Sequence, residues 1–218
     1  MVKKIPGIII VSMFLLLGVC IQQSHATILL VGDGTWGDFE GSFTYNRTSA
    51  TTATLEIILK NTTPAANGGL LTGFVFNNPS NLIKNVTSID FTNDNFQLLG
   101  ASTFNNNVSA SPDGDFDIGA ALGADFLGGG SPNGGISIND DDKFIFYLSG
   151  DNLNPLSETS FLNEKSTSGK DFFMARFKGL DVGEGSEKVP GTGTPEPATL
   201  SLLGLGLLGL ARFGKRKK

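Results

Sequence analysis

Apolar and polar residues alternate with a period of two along much of the middle of the chain. In residues 50–61 (ATTATLEIILKN), Ala53, Leu55, Ile57 and Leu59 fall on one side. Thr52, Thr54, Glu56 and Lys60 fall on the other, with Ile58 the exception. Alternation among β-branched residues predicts a half-buried strand. The same reading predicts strands over 70–77 (LLTGFVFN), 142–149 (DKFIFYLS) and 172–178 (FFMARFK). Residues 84–91 (KNVTSIDF) give another, in which Val86 and Ile89 break the alternation and predict a bulge. Shorter runs at 27–31, 40–45, 96–99 and 135–138 add four more candidates. Turn signals separate these runs, among them Asn67-Gly68-Gly69, Asn77-Asn78-Pro79, Pro112-Asp113-Gly114 and Pro132-Asn133-Gly134. Helical periodicity is confined to one short candidate, 161–165 or 119–126. The expectation is all-β: an antiparallel, jelly-roll-like β-sandwich of eight to ten strands. Fifteen of the 17 phenylalanines lie between residues 27 and 194, so its core is Phe-dominated.

The two ends have a different pattern. Lys3 and Lys4 precede an apolar run over 5–20, and Ser24-His25-Ala26 follows. That is a signal peptide over 1–26, with Ser24 and Ala26 as the small residues that signal peptidase reads, cut after Ala26. The run is short of the roughly 20 residues that span a bilayer, which argues against an uncleaved anchor. Val19 is too bulky for lipoprotein processing at Cys20. Cys20 and His25 are the chain's sole cysteine and histidine. The cut leaves neither thiol nor imidazole, which excludes disulfides, Cys/His zinc sites and Ser-His-Asp or Cys-His catalysis.

At the other end, 198–211 (ATLSLLGLGLLGLA) is apolar and is read as a single C-terminal transmembrane helix. Arg212, Lys215, Arg216, Lys217 and Lys218 follow it as a basic cytoplasmic stop. Fourteen helical residues reach roughly 21 Å, short of a full bilayer core, which suits a temporary hold. The organisation expected is therefore a signal peptide at 1–26, a sandwich at 27–190, a linker with the Pro-Glu-Pro triplet at 191–197, the span at 198–211 and the tail at 212–218.

Charge adds one exclusion. Residues 27–194 hold 20 acidic and 9 basic side chains, net −11. Such a domain repels nucleic acid and leaves cations or neutral polysaccharide as partners. Asp113, Asp115 and Asp117 stand at every second position and offer a calcium loop if the backbone curls. Ile118 and Ala124 depart from the EF-hand pattern, and in an extended segment the three form a solvated face. No other cofactor is indicated. Asp140-Asp141-Asp142 reads as a solvated turn. Trp36 either packs or stacks on a sugar.

Pro195-Glu196-Pro197, the glycine-leucine span and the basic end together resemble the PEP-CTERM sorting signal of Gram-negative bacteria. The resemblance implies export, a hold in the inner membrane, and processing by exosortase, a membrane cysteine protease/transpeptidase that accompanies exopolysaccharide production. Pro195, Glu196 and Pro197 would then mark recognition. Competing readings are an ordinary membrane anchor, a GPI signal, which would lack the basic end, and a sortase signal at Val189-Pro190-Gly191-Thr192-Gly193. Stretches such as 59–63 (LKNTT), 71–77 (LTGFVFN), 116–119 (FDIG), 175–179 (ARFKG) and 185–190 (GSEKVP) are similar to the core of exosortase-sorted surface proteins. The expected function is a non-enzymatic surface or matrix protein, with a carbohydrate- or calcium-binding adhesin module as the alternative. An acid-base hydrolase would need two buried carboxylates facing each other.

Overall fold

A computed structural model describes residues 27–100, 104–128 and 131–195. The signal-peptide, transmembrane and basic-tail readings fall outside these residues, as do Glu196 and Pro197. The chain enters as a meander: β1 (Thr27–Asp33), β2 (Asp38–Arg47) and β3 (Thr52–Asn61). It then alternates between layers through β4 (Gly68–Phe76), β5 (Asn85–Phe91) and β6 (Gln97–Leu99). Two short strands follow, β7 (Val108–Ser109) and β8 (Asp115–Phe116), then β9 (Ile118–Ala121) and β10 (Asp141–Ser149). Helix α1 (Glu158–Asn163) precedes β11 (Phe173–Leu180), β12 (Ser186–Pro190) and β13 (Thr192–Pro195). One sheet has the order β13-β1-β2-β3-β10-β5 and the other β12-β11-β4-β9-β6. Every pairing between named strands is antiparallel.

The two sheets meet through phenylalanine. Phe74 of β4 stacks on Phe173 of the neighbouring strand β11 at 5.7 Å and crosses to the other sheet at Phe144 of β10, edge-on at 4.7 Å. Phe146 of β10 meets Phe76 of β4 at 5.6 Å. These residues, with Leu55, Ile57 and Leu59, are fully buried. Phe161 of α1 closes one end of the sandwich against Phe43 and Tyr45. A six-residue helix is marginal alone, so this packing and the capping box of Ser157 with Ser160 hold it.

The predicted alternation is found in β3, where Ile58 is half-buried on the outer face. The bulge is also found: Tyr147 pairs Ser88 and Leu148 pairs Val86, leaving Thr87 as the extra residue. β4 does not alternate, because its outer face is covered too. Val75 packs there with Leu99, Val108, Phe116, Phe126 and Met174 in a second apolar cluster.

Several expectations need correction. Among the described residues there are thirteen strands, not eight to ten. Residues 119–121, the start of the candidate helix at 119–126, belong to β9 because β4 and β6 offer it two open edges. Residues 135–138 make isolated bridges only. The stretch read as a linker is a strand from Thr192 to Pro195, since β1 has an unpaired edge that it fills. Among the described residues no helix is long and apolar enough to cross a membrane.

Candidate functional site

The site is the edge built by β12 and β13. β12 borders one sheet and β13 the other, so the chain changes layers at Gly191. The Gly191 N–H donates to the Phe173 carbonyl at 2.9 Å and ties the crossing to β11. β13 then runs against β1, with Thr192 opposite Val31 and Pro195 opposite Ile28. The Thr192 hydroxyl donates to the Val31 carbonyl at 3.0 Å. Proline lacks an N–H and is admitted here because β13 is the outermost strand. A Cβ on Gly193 would stand 2.4 Å from Leu162 Cδ2 and 3.0 Å from Ile28 Cγ2. One on Gly191 would stand 2.9 Å from Phe173 Cδ1. The two glycines are what let the strand lie flush on these side chains.

Adjacent residues of β12 point to opposite sides and fasten the edge twice. The Glu187 carboxylate accepts the backbone N–H groups of Thr35 at 2.8 Å, Trp36 at 2.9 Å and Gly37 at 2.7 Å. The Lys188 ammonium pairs with Asp113 at 2.5 Å and donates to the carbonyls of Ala110 and Ser111. Neither residue stood out in sequence, because their partners lie about 75 or 150 positions away.

The three aspartates of the proposed calcium loop are not brought to one point. Asp113 is held by Lys188. Asp115 pairs through its backbone with Ser109. Asp117 is buried and accepts the Asn78 N–H at 2.7 Å and the Asn106 N–H. Burial pushes the Asp117 carboxyl above the usual range, against these two donors. Among the described residues no group of three or more His, Cys, Asp or Glu could hold a metal. Asp142, in the second acidic run, accepts from Thr92 and Asn93 rather than standing free in a turn. Trp36 is half-buried, packed against the core and against Gly183.

Pro195 is thus described in a strand, opposite Ile28. Its companions Glu196 and Pro197 lie outside the described residues, as do Ser24, Ala26, Arg212, Lys215, Arg216, Lys217 and Lys218. A family model described as the PEP-CTERM protein-sorting motif matches residues 194–217. The chain carries a PEP-CTERM sorting motif. The first two residues of that motif, Thr194 and Pro195, are therefore the last two of β13. A comparison with curated proteins finds no match. Among solved structures, the crystal structure of the yeast GGA1_GAE domain-P21 is similar at 12% identity and a TM-score of 0.26. The match covers 76% of this chain and 95% of that one, and at that score it bears on neither fold nor function.

Proposed function

We propose that this chain is the precursor of a non-enzymatic surface or extracellular-matrix protein. Signal peptidase removes residues 1–26. The C-terminal segment holds the sandwich at the inner membrane, and exosortase then processes it through the PEP-CTERM motif. The single observation that carries this reading is the motif match over 194–217. Its arrangement, a Pro-Glu-Pro triplet before an apolar run and a basic end, supports the same conclusion. The lack of Cys and His after residue 26 supports the non-enzymatic part. The jelly-roll-like reading is supported by β9 and β10, which return to lie between β4 and β6 and between β3 and β5. The adhesin alternative gains no specific observation, since Asp113, Asp117 and Trp36 all have partners within the fold.

The test is intact-mass measurement of the exported protein in cells with and without a functional exosortase. The expected product in the first case lacks the apolar segment and basic tail, and in the second it retains them. Retention of residues 198–218 in both overturns the proposal.

A further inference from the structure

β13 is held by its backbone more than by its side chains. Thr192, Thr194 and Pro195 are exposed, and Gly193 has no side chain to bury. The strand rests on its pairing with β1, from Thr192 opposite Val31 to Pro195 opposite Ile28, and on the Thr192 hydroxyl that donates to the Val31 carbonyl. β12 is anchored differently. Val189 is fully buried there, Glu187 takes three backbone N–H groups, and Lys188 pairs with Asp113. Gly191 separates the two strands, its N–H tied to the Phe173 carbonyl. A strand without buried apolar side chains opens at small free-energy cost, while an anchored neighbour stays in place. The opening that this edge allows is therefore confined to Thr192–Pro195.

That short segment carries the start of the sorting motif. Thr194 and Pro195 are the first two matched positions, and they stand opposite Leu29 and Ile28. A processing enzyme engages the backbone of its peptide as well as the side chains. The backbone edge that β13 gives to β1 is not available to such an enzyme. Four extended residues span about 13 Å, so release back to Gly191 lets the motif stand off from the sandwich by that length. Gly193 sets the fit of the closed strand, since a Cβ there would crowd Leu162, Ile28 and Phe172. It precedes the matched residues, so closure is governed from outside the motif itself.

We propose that the β1–β13 pairing is an autoinhibitory contact: the folded sandwich withholds the start of its own sorting motif, and the enzyme cuts the molecules in which β13 has lifted from β1. This rests on the reading that exosortase processes the chain through the motif, and it links folding to sorting. β1 offers its edge only once the sheet is built. An unfolded chain therefore exposes the whole motif, and a folded one exposes it in proportion to the opening equilibrium of one strand. β13 places no side chain in the phenylalanine core, so lifting it does not require the domain to unfold.

The experiment follows intact mass over time when the full chain, in detergent, is mixed with membranes that contain or lack exosortase. A Cys20→Ser parent has no cysteine left. Leu29 and Thr194 are paired and both exposed, so their side chains lie on one face of the sheet. Leu29→Cys/Thr194→Cys added to the parent closes the strap on oxidation and reopens it on reduction. Cutting follows the lifted fraction. With rates normalised to the parent in each condition, the oxidised variant should be cut at least about tenfold more slowly than the same variant reduced. Gly193→Val, assayed below its unfolding transition, should be cut about fivefold faster than the parent. Equal rates for the oxidised and reduced variant, or an unchanged rate in Gly193→Val, overturn the autoinhibitory contact and leave the sorting reading standing. Failure of the two cysteines to join on oxidation overturns the β1–β13 register, and the contact with it. A parent left uncut by exosortase-containing membranes overturns the sorting reading itself.

Discussion

The interior of the sandwich and its β12–β13 edge are both β-structure, yet they are held by opposite means. The interior is made of large apolar side chains whose period of two dictates which face they occupy: Phe144, Phe146 and Leu148 on β10, and Phe173, Ala175 and Phe177 on β11. The edge is made of Ser186–Pro190, of which Val189 alone is buried, and of the threonine, glycine and proline of β13, which bury little side-chain area. It is fixed by what it meets: an open strand in β1, and the side chains of Leu162 and Phe173 over which only glycine fits. A strand can be specified by its own pattern or by a vacancy elsewhere. The second kind is cheaper to undo, as the processing proposed for this segment requires.

The largest expected effect tests the interior. Phe74→Ala removes a ring that touches Phe76, Phe144, Phe146 and Phe173 at once. The loss of transfer free energy and the cavity together should cost roughly 3–5 kcal/mol. Denaturant unfolding of the chain measures it. A cost below about 1 kcal/mol would mean that the two sheets are not joined through this ring.

The same contrast explains what could be read from sequence. The strands carrying Leu55, Phe146 and Phe177 were legible because each declares its buried face within a few residues, and the one carrying Phe74 because it is a short apolar run bounded by turn residues. The Thr87 bulge was legible for the same reason, as a break in that rhythm. β12, β13, Glu187 and Lys188 were not, because the groups that define them are brought in by topology. Glu187 matters only because the Gly34–Gly37 turn offers three N–H groups in a row. Asp113, Asp115 and Asp117 illustrate the reverse error. Their spacing suggested convergence on a cation, but a short ladder at Asp115–Phe116 and burial at Asp117 send them to different partners. The sorting motif itself was fully legible, since its recognition depends on linear order and not on packing.

A middle-sized effect tests the edge. Gly193→Val places methyl groups into Leu162, Ile28 and Phe172, where even a Cβ is too close. Overpacking of this kind costs about 1–3 kcal/mol. Here the strand can relieve it by lifting off β1 while the interior stays intact. The expected outcome is faster limited proteolysis within residues 190–197 with a smaller loss of Tm than in Phe74→Ala. Unchanged proteolysis would show that β13 is not held by its fit to these side chains.

The smallest effect concerns a buried carboxylate, Asp117. Its carboxyl is raised above the ordinary 3.8 by burial, partly offset by the N–H groups of Asn106 and Asn78. The folded state therefore binds this proton more tightly than the unfolded state does. The ionised form carries a penalty that is fully present above the folded pKa and is relieved as pH falls through it, with no further gain below 3.8. Asp38 and Asp171 are raised by burial as well, so the whole chain should gain stability on mild acidification. The share due to Asp117 is isolated by comparing wild type with Asp117→Asn, which stays neutral at every pH and keeps one acceptor oxygen. Tm measured from neutrality down to about pH 4 should rise more steeply in the wild type than in the variant. Parallel profiles would mean that the two backbone N–H donors fully compensate burial, leaving the interior as indifferent to pH at this point as its phenylalanines are.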